Sequence, residues 1–257
     1  MKSILSLLAA MIMTTNIYSN DSLNQSIGKL ENITREEHSV FLETDRGKVR
    51  LTVYRPSIIR IHAVKEEFSK KHSYAVVAEP EKTRFSVEEE SEYYILETAT
   101  LKVIISKDPV RFEFQTKNGK VINQDDHALG ISWLGEQAGV YKKLQEGERF
   151  IGLGEKTGSL DRRGEAYVNW NTDNPNHQPG DDPLYASIPF YMGLHNELNY
   201  GIFFDNSYRT HFNFGASNDR FSSFTAEAGE IDYYFIHHEK ISDIISSYTW
   251  LTGRMPM

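Results

Sequence analysis

Apolar and polar residues alternate through much of this chain with the two-residue period of a β-strand, in which successive side chains point to opposite faces. Val49, Leu51 and Val53 share one side of the run 49–54, and Ile59 and Ile61 share one side of 59–63. Residues 93–97 and 101–105 predict further strands. Residues 110–114 alternate strictly, and Asn118-Gly119 supplies a hairpin signal before Val121-Ile122. After a break, residues 201–204, 211–214 and 231–236 predict strands again. One helix is predicted near the end, where Ile241, Ile244, Ile245, Tyr248 and Leu251 fall on one face at helical spacing. Ser242 or Asp243 is placed to cap its start, Gly253 to cap its end, and Pro256 to stop it. Many short strands separated by turn signals, with a single helix, predict an all-β sandwich or barrel.

Two segments depart from the strand pattern. Residues 21–37 are polar and have no strong period. Residues 149–185 are rich in Gly, Asn, Asp and Pro, as expected of a long irregular loop, and such loops inside compact domains commonly carry function. Within it, Asn169-Trp170-Asn171-Thr172-Asp173-Asn174-Pro175 mixes a large ring with turn formers, which points to an ordered loop.

Composition narrows the classes. The 257 residues include 14 Tyr, 14 Phe and 3 Trp, a supply of rings suited first to a packed β core and second to sugar-facing surfaces. A net charge of −8 without any Lys/Arg run argues against nucleic acid as a partner. The absence of cysteine excludes disulfides, a thiol nucleophile and thiolate metal sites. At the N-terminus, Met1-Lys2 precedes an apolar run from Ile4 to Met13 broken by Ser6, with polar residues from Thr14 and a small residue at Ser19. This is the pattern of a signal peptide over residues 1–19, too short to span a bilayer, and it predicts a periplasmic or secreted protein free of the membrane after cleavage. A buried N-terminal helix is the alternative.

Gly152-Leu153-Gly154-Glu155-Lys156-Thr157-Gly158 invites a phosphate-loop reading, which the spacing rejects. Glu155 stands where that loop requires glycine, and its carboxylate would repel phosphate. A tight strand-turn with close backbone approach is the plainer reading. His237 and His238 are neighbours that a strand would point apart, and His177, His195 and His211 have no zinc-like spacing. No Gly-x-Ser-x-Gly elbow is present. No cofactor and no metal is expected.

The same stretch carries a family resemblance. Residues 152–158, Arg162-Arg163-Gly164, Trp170-Asn171-Thr172-Asp173 and residues 182–190 resemble, in order, the N-terminal region of family 31 glycoside hydrolases. Residues 201–206, 232–236 and 248–254 continue the likeness, which is strong over about 149–257 and general before that. The resemblance implies a galactose-mutarotase-like β-sandwich over residues 20–240, with a substrate loop at about 155–185. It further implies a helix and linker over 241–257, leading into a (β/α)8 catalytic barrel of the same full-length protein. Such enzymes are retaining α-glucosidases and relatives, and retaining hydrolysis needs two carboxyl groups about 5 Å apart. The resemblance places both in the barrel, so no catalytic residue is expected in this chain. Asp173, Asp181 and Asp182 are poor candidates for that pair, because adjacent residues seldom face one reacting centre and loops hold catalytic groups loosely.

The resemblance instead assigns Asp173 to hydrogen bonds with the hydroxyls of an α-linked oligosaccharide, a task suited to a charged acceptor. Thr172 belongs to the same contact loop. Trp170 and Tyr185 are expected to stiffen the loop or pack on a sugar face. A turn-capping role for Asp173 is the alternative at that residue, since Asp readily bonds its own backbone. For the whole chain, the alternative is a stand-alone carbohydrate-binding or scaffold sandwich without catalysis.

Overall fold

The structure, a computed structural model, describes residues 24–69 and 72–254. The expected signal peptide and Pro256 lie outside the described residues. The strands, in chain order, are β1 (Asn24–Ser26), β2 (Leu30–Arg35), β3 (Ser39–Thr44), β4 (Gly47–Arg55), β5 (Ile58–Val64), β6 (Ser86–Glu89) and β7 (Tyr93–Glu97). They continue with β8 (Leu101–Lys107), β9 (Val110–Thr116), β10 (Val121–Gln124), β11 (Ile131–Leu134), β12 (Gln137–Lys143) and β13 (Arg149–Gly154). The last are β14 (Ala166–Asn169), β15 (Ser187–His195), β16 (Leu198–Phe204), β17 (Thr210–Asn213), β18 (Phe221–Ala226) and β19 (Ile231–His237), followed by the helix α1 (Ile241–Thr252).

The ladders are antiparallel and form three sheets. An eight-stranded sheet runs β13-β15-β16-β19-β5-β4-β3-β2, facing a six-stranded sheet β1-β11-β12-β18-β17-β14 and a five-stranded sheet β10-β9-β8-β7-β6. The expected all-β sandwich is thus what the chain forms. Its core is continuous across the three sheets and rich in stacked rings. Phe114 of β9 lies 3.9 Å from Phe235 of β19, and Phe150 of β13 lies 4.4 Å from Phe214, just past β17. Lys142 of β12 ties the layers at one point. Its Nζ donates to Asp125 Oδ1 at 2.6 Å and to the Tyr233 hydroxyl of β19 at 3.1 Å, with both charged side chains sealed from solvent. Burial pulls the Lys142 amine below the ordinary lysine range, and Asp125 opposes that. Removing one member of such a pair costs about 3–5 kcal/mol, because the other charge is left buried alone.

The expected alternation holds where one face is covered. Val49, Leu51, Val53, Ile59 and Ile61 all sit in the main core. It fails in β19, where every residue is buried. Tyr233 and Phe235 face the sandwich core, while Tyr234 and Ile236 join a second apolar cluster with Phe190, Phe203, Ile244 and Leu251. The helix provides that second cover. Tyr248 stacks on Phe190 at 4.0 Å, and the Leu251 carbonyl accepts the N–H groups of Val77 and Ala78. Three expectations need correction. Lys240 is the N-cap and makes no side-chain cap bond, so Ser242 and Asp243 lie inside the first turn, where Asp243 complements the helix dipole. Ile245 is 45% exposed, because the buried stripe runs through Ile244, Ser247 and Leu251. The polar segment 21–37 contains β1 and β2, and the irregular segment 149–185 contains β13 and β14. Gly253 does end the helix, at φ 90°.

Candidate functional site

The long loop begins at a bulge. β13 pairs with β15 up to Gly152↔Tyr191, slips, and resumes at Gly154↔Ser187. A Cβ on Gly152 would lie 2.5 Å from the Phe190 carbonyl oxygen, and one on Gly154 would lie 2.5 Å from the Ala186 carbonyl oxygen. Both glycines have positive φ. The Gly-Leu-Gly motif is therefore a close backbone approach, as the sequence suggested, and it seats Leu153 in the core.

The chain next buries Lys156. Its Nζ donates to Asp182 Oδ1 at 2.5 Å and to the Val168 carbonyl at 2.7 Å, while Val168 N–H donates to Asp182 Oδ2. Burial lowers the Lys156 pKa and Asp182 partly restores it. An amine so engaged is a structural tie, unlike the lysine of a phosphate loop. Arg162 gathers the adjoining turn, donating from Nη1 to the carbonyls of Thr157 (3.0 Å) and Ser159 (2.6 Å) over the Tyr167 ring. These ties fix both ends of residues 169–185. At their base Thr172 N–H donates to the Leu184 carbonyl at 2.9 Å, and Ser187 N–H donates to Asn171 Oδ1 at 2.9 Å. At the tip, Asp181 Oδ2 accepts the Gln178 N–H at 2.8 Å and closes the turn.

The sequence-selected residues separate into two groups on this frame. Trp170 is 45% exposed, its ring under the Arg209 guanidinium at 5.2 Å. It lines a cleft of about 310 Å³ with Asn169, Asn171, Ser187, Tyr208 and Thr210. Thr172, Asp173 and Tyr185 do not line that cleft. Tyr185 packs edge-on against His177 at 6.2 Å, and the Thr172 hydroxyl turns back to the Trp170 carbonyl at 2.9 Å. Asp173 is exposed and makes no hydrogen bond or ion pair with the described residues. Asp173 thus makes no capping hydrogen bond within the described residues, while Asp181 caps the separate turn at 178–181. Asp181 and Asp182 are both committed to holding the loop, which removes them as a hydrolytic pair. Sequence reading missed Asn169 and Tyr208, which reach the cleft from β14 and from the β16–β17 connection. The histidines have local jobs. The His195, His237 and His238 rings hydrogen-bond the Ile122 carbonyl, the Asn199 carbonyl and Ser247 Oγ, each at 2.7 Å.

Residues 48–213 match the model of the glycosyl hydrolase 31 N-terminal galactose mutarotase-like domain. The chain belongs to glycoside hydrolase family 31. Among its family 31 relatives, an α-glucosidase 2 of Bacillus thermoamyloliquefaciens is 39% identical over 234 residues, covering 90% of this chain and 30% of the relative. An α-glucosidase of Saccharolobus solfataricus is 31% identical over 155 residues, covering 60% of this chain and 22% of the relative. A family 31 dextranase of Flavobacterium johnsoniae, solved with isomaltotriose, superposes with a TM-score of 0.86 at 34% identity, covering 91% of this chain and 29% of that one. The chain thus spans about a third or less of each relative's length and corresponds to the N-terminal domain of a family 31 enzyme.

Proposed function

We propose that this domain serves an exported, retaining enzyme of the α-glucosidase type, and that its 169–185 loop contacts an α-linked oligosaccharide. The nucleophile and the acid/base belong to a (β/α)8 barrel elsewhere in the same full-length protein. One observation carries the loop's role: Asp173 is a solvent-facing carboxylate without a partner among the described residues, on a loop pinned at both ends by buried polar ties. A fixed carboxylate of this kind can accept hydrogen bonds from two neighbouring sugar hydroxyls without first breaking bonds of its own. Thr172 precedes it at the loop base, where its N–H meets the Leu184 carbonyl next to Tyr185, and Trp170 offers an apolar ring. Support for the reaction class comes from the names of the relatives, two of them α-glucosidases.

The test compares this 257-residue chain with the full-length protein on an aryl α-glucoside and on maltose. The chain alone is expected to show no turnover and the full-length protein to cleave both. Hydrolysis by the purified chain, abolished by Asp173→Ala, would overturn the assignment of catalysis to the barrel.

A further inference from the structure

Between β5 and β6 the chain crosses the outer side of the large sheet as a strap, residues 73–81, that is neither helix nor strand yet is tied down along its length. The Ser73 hydroxyl oxygen accepts the Ala75 and Val76 N–H groups at 3.2 and 2.9 Å. The Leu251 carbonyl at the end of α1 accepts those of Val77 and Ala78 at 3.0 and 3.2 Å. Glu81 N–H donates to the Tyr54 carbonyl at 2.9 Å, and its carboxylate pairs with Arg55, whose guanidinium lies 3.6 Å from the Trp250 ring centre. Ala75, Val76 and Ala78 pack against the apolar cluster under the helix. Two apolar side chains of the strap turn the other way: Tyr74 is 89% exposed and Val77 is 68% exposed.

Ordering an irregular backbone costs about 1–2 kcal/mol per residue. Here that cost fixes a segment which holds a large ring and a valine out in water, three positions apart, where polar residues would serve a solvent-facing loop better. Apolar surface gathered in this way marks an interaction surface.

Its position identifies the occupant. A Cβ on Gly253 would lie 3.5 Å from Val77 Cγ2, and Gly253 leaves the helix at φ 90° and ψ 143°. The chain therefore departs from the domain directly beside the exposed valine. Two side chains are too small a contact for a partner that must find them from solution. A partner tethered a few residues away is held at an effective concentration on the order of millimolar, and for it such a contact suffices. The charges nearby are already matched. Arg60, which lines a groove with His72, Ser73 and Val76, donates from Nε and Nη2 to the Asp232 carboxylate at 2.8 and 2.6 Å, as Arg55 is paired with Glu81. The surface thus suits an apolar, uncharged face.

We infer that Tyr74 and Val77 are a docking seat for an apolar face of the catalytic barrel that follows residue 257 in the full-length protein. The inference rests on the proposal that such a barrel follows, and it uses no residue of the 169–185 loop.

The experiment is hydroxyl-radical footprinting of the full-length protein, with the 257-residue chain as reference. Tyr74 is expected to be oxidised several-fold more slowly in the full-length protein, while Leu134, half-exposed on β11, keeps one rate in both. The double change Tyr74→Ser and Val77→Ser should lower the unfolding midpoint of the full-length protein by roughly 2–4 °C. It should leave that of the 257-residue chain unchanged, because neither side chain is covered there. Equal oxidation of Tyr74 in the two proteins, or equal midpoints in the full-length parent and double variant, would overturn the inference. So would protection that is lost on dilution, which would make the seat a contact between two copies. A full-length protein that cleaves α-glucosides with Tyr74 fully reactive would remove this inference alone. A protected Tyr74 in a full-length protein without such turnover would remove the proposed activity and leave the seat.

Discussion

Glu148 shows how far a single position can be fixed by surroundings that the sequence does not announce. It follows the turn after β12 and is 1% exposed, yet it accepts the Tyr200 hydroxyl at 2.7 Å and the Gln145 N–H at 2.9 Å. Burial raises its pKa above the ordinary 4.5, and those two hydrogen bonds only partly oppose the rise. The native state therefore holds this proton at pH values where the unfolded chain has lost it. Stability from this group is complete below the unfolded pKa and is lost as pH rises through the native one. Glu148→Gln should flatten that part of the profile, so urea unfolding from about pH 4 to about pH 7 should show the variant gaining on the parent as pH rises. An unchanged slope would contradict the burial argument. Asp173, by contrast, was selected from Asn171-Thr172-Asp173 alone, because the family resemblance names it, and its sugar contact is a proposal. Asn169 and Tyr208 were not, since nothing local in either residue's neighbourhood marks the cleft that β14 and the β16–β17 connection make together.

At the scale of elements, the 169–185 loop has one buried ionic tie among its anchors. Lys156 joins Asp182 and the Val168 carbonyl in a site where its own side chain is 1% exposed. Lys156→Met would leave the Asp182 carboxylate without its cation and the Val168 carbonyl without a donor, a loss of about 1–3 kcal/mol to local order. Hydrogen exchange should then accelerate roughly 10- to 100-fold at Val168 and Thr172, while the amides of β19 keep their protection. Equal exchange in parent and variant would show that Arg162 and the bulge hold the loop without this tie. The strands themselves were readable where one face met the core, as in β4, β5 and β9. They were unreadable in β2, an edge strand with only Leu30 and Ile33 even partly buried, and in β14, four residues paired inside a polar loop. Strand β19 carries apolar residues on both faces because α1 and the segment before β6 form a second layer over the large sheet.

For the whole molecule, the three sheets share one core, and the 169–185 loop is tied to the sandwich at both ends. Stacked rings and the Lys142–Asp125–Tyr233 contact join the layers, so the loop's position is set by the entire sandwich. The fold class and the single terminal helix followed from strand periodicity and one amphipathic stretch. The division into three sheets did not, because it depends on which strands pair across long sequence separations, such as β5 with β19. In the full-length protein the proposed role of the loop rests on Asp173. The most direct measurement is kcat/KM on maltose for the full-length protein and its Asp173→Ala variant. Loss of one charge-assisted hydrogen bond of about 1.5–3 kcal/mol predicts a fall of roughly 10- to 150-fold, with no change in unfolding midpoint. Equal kcat/KM in the two proteins would show that the loop does not hold the substrate.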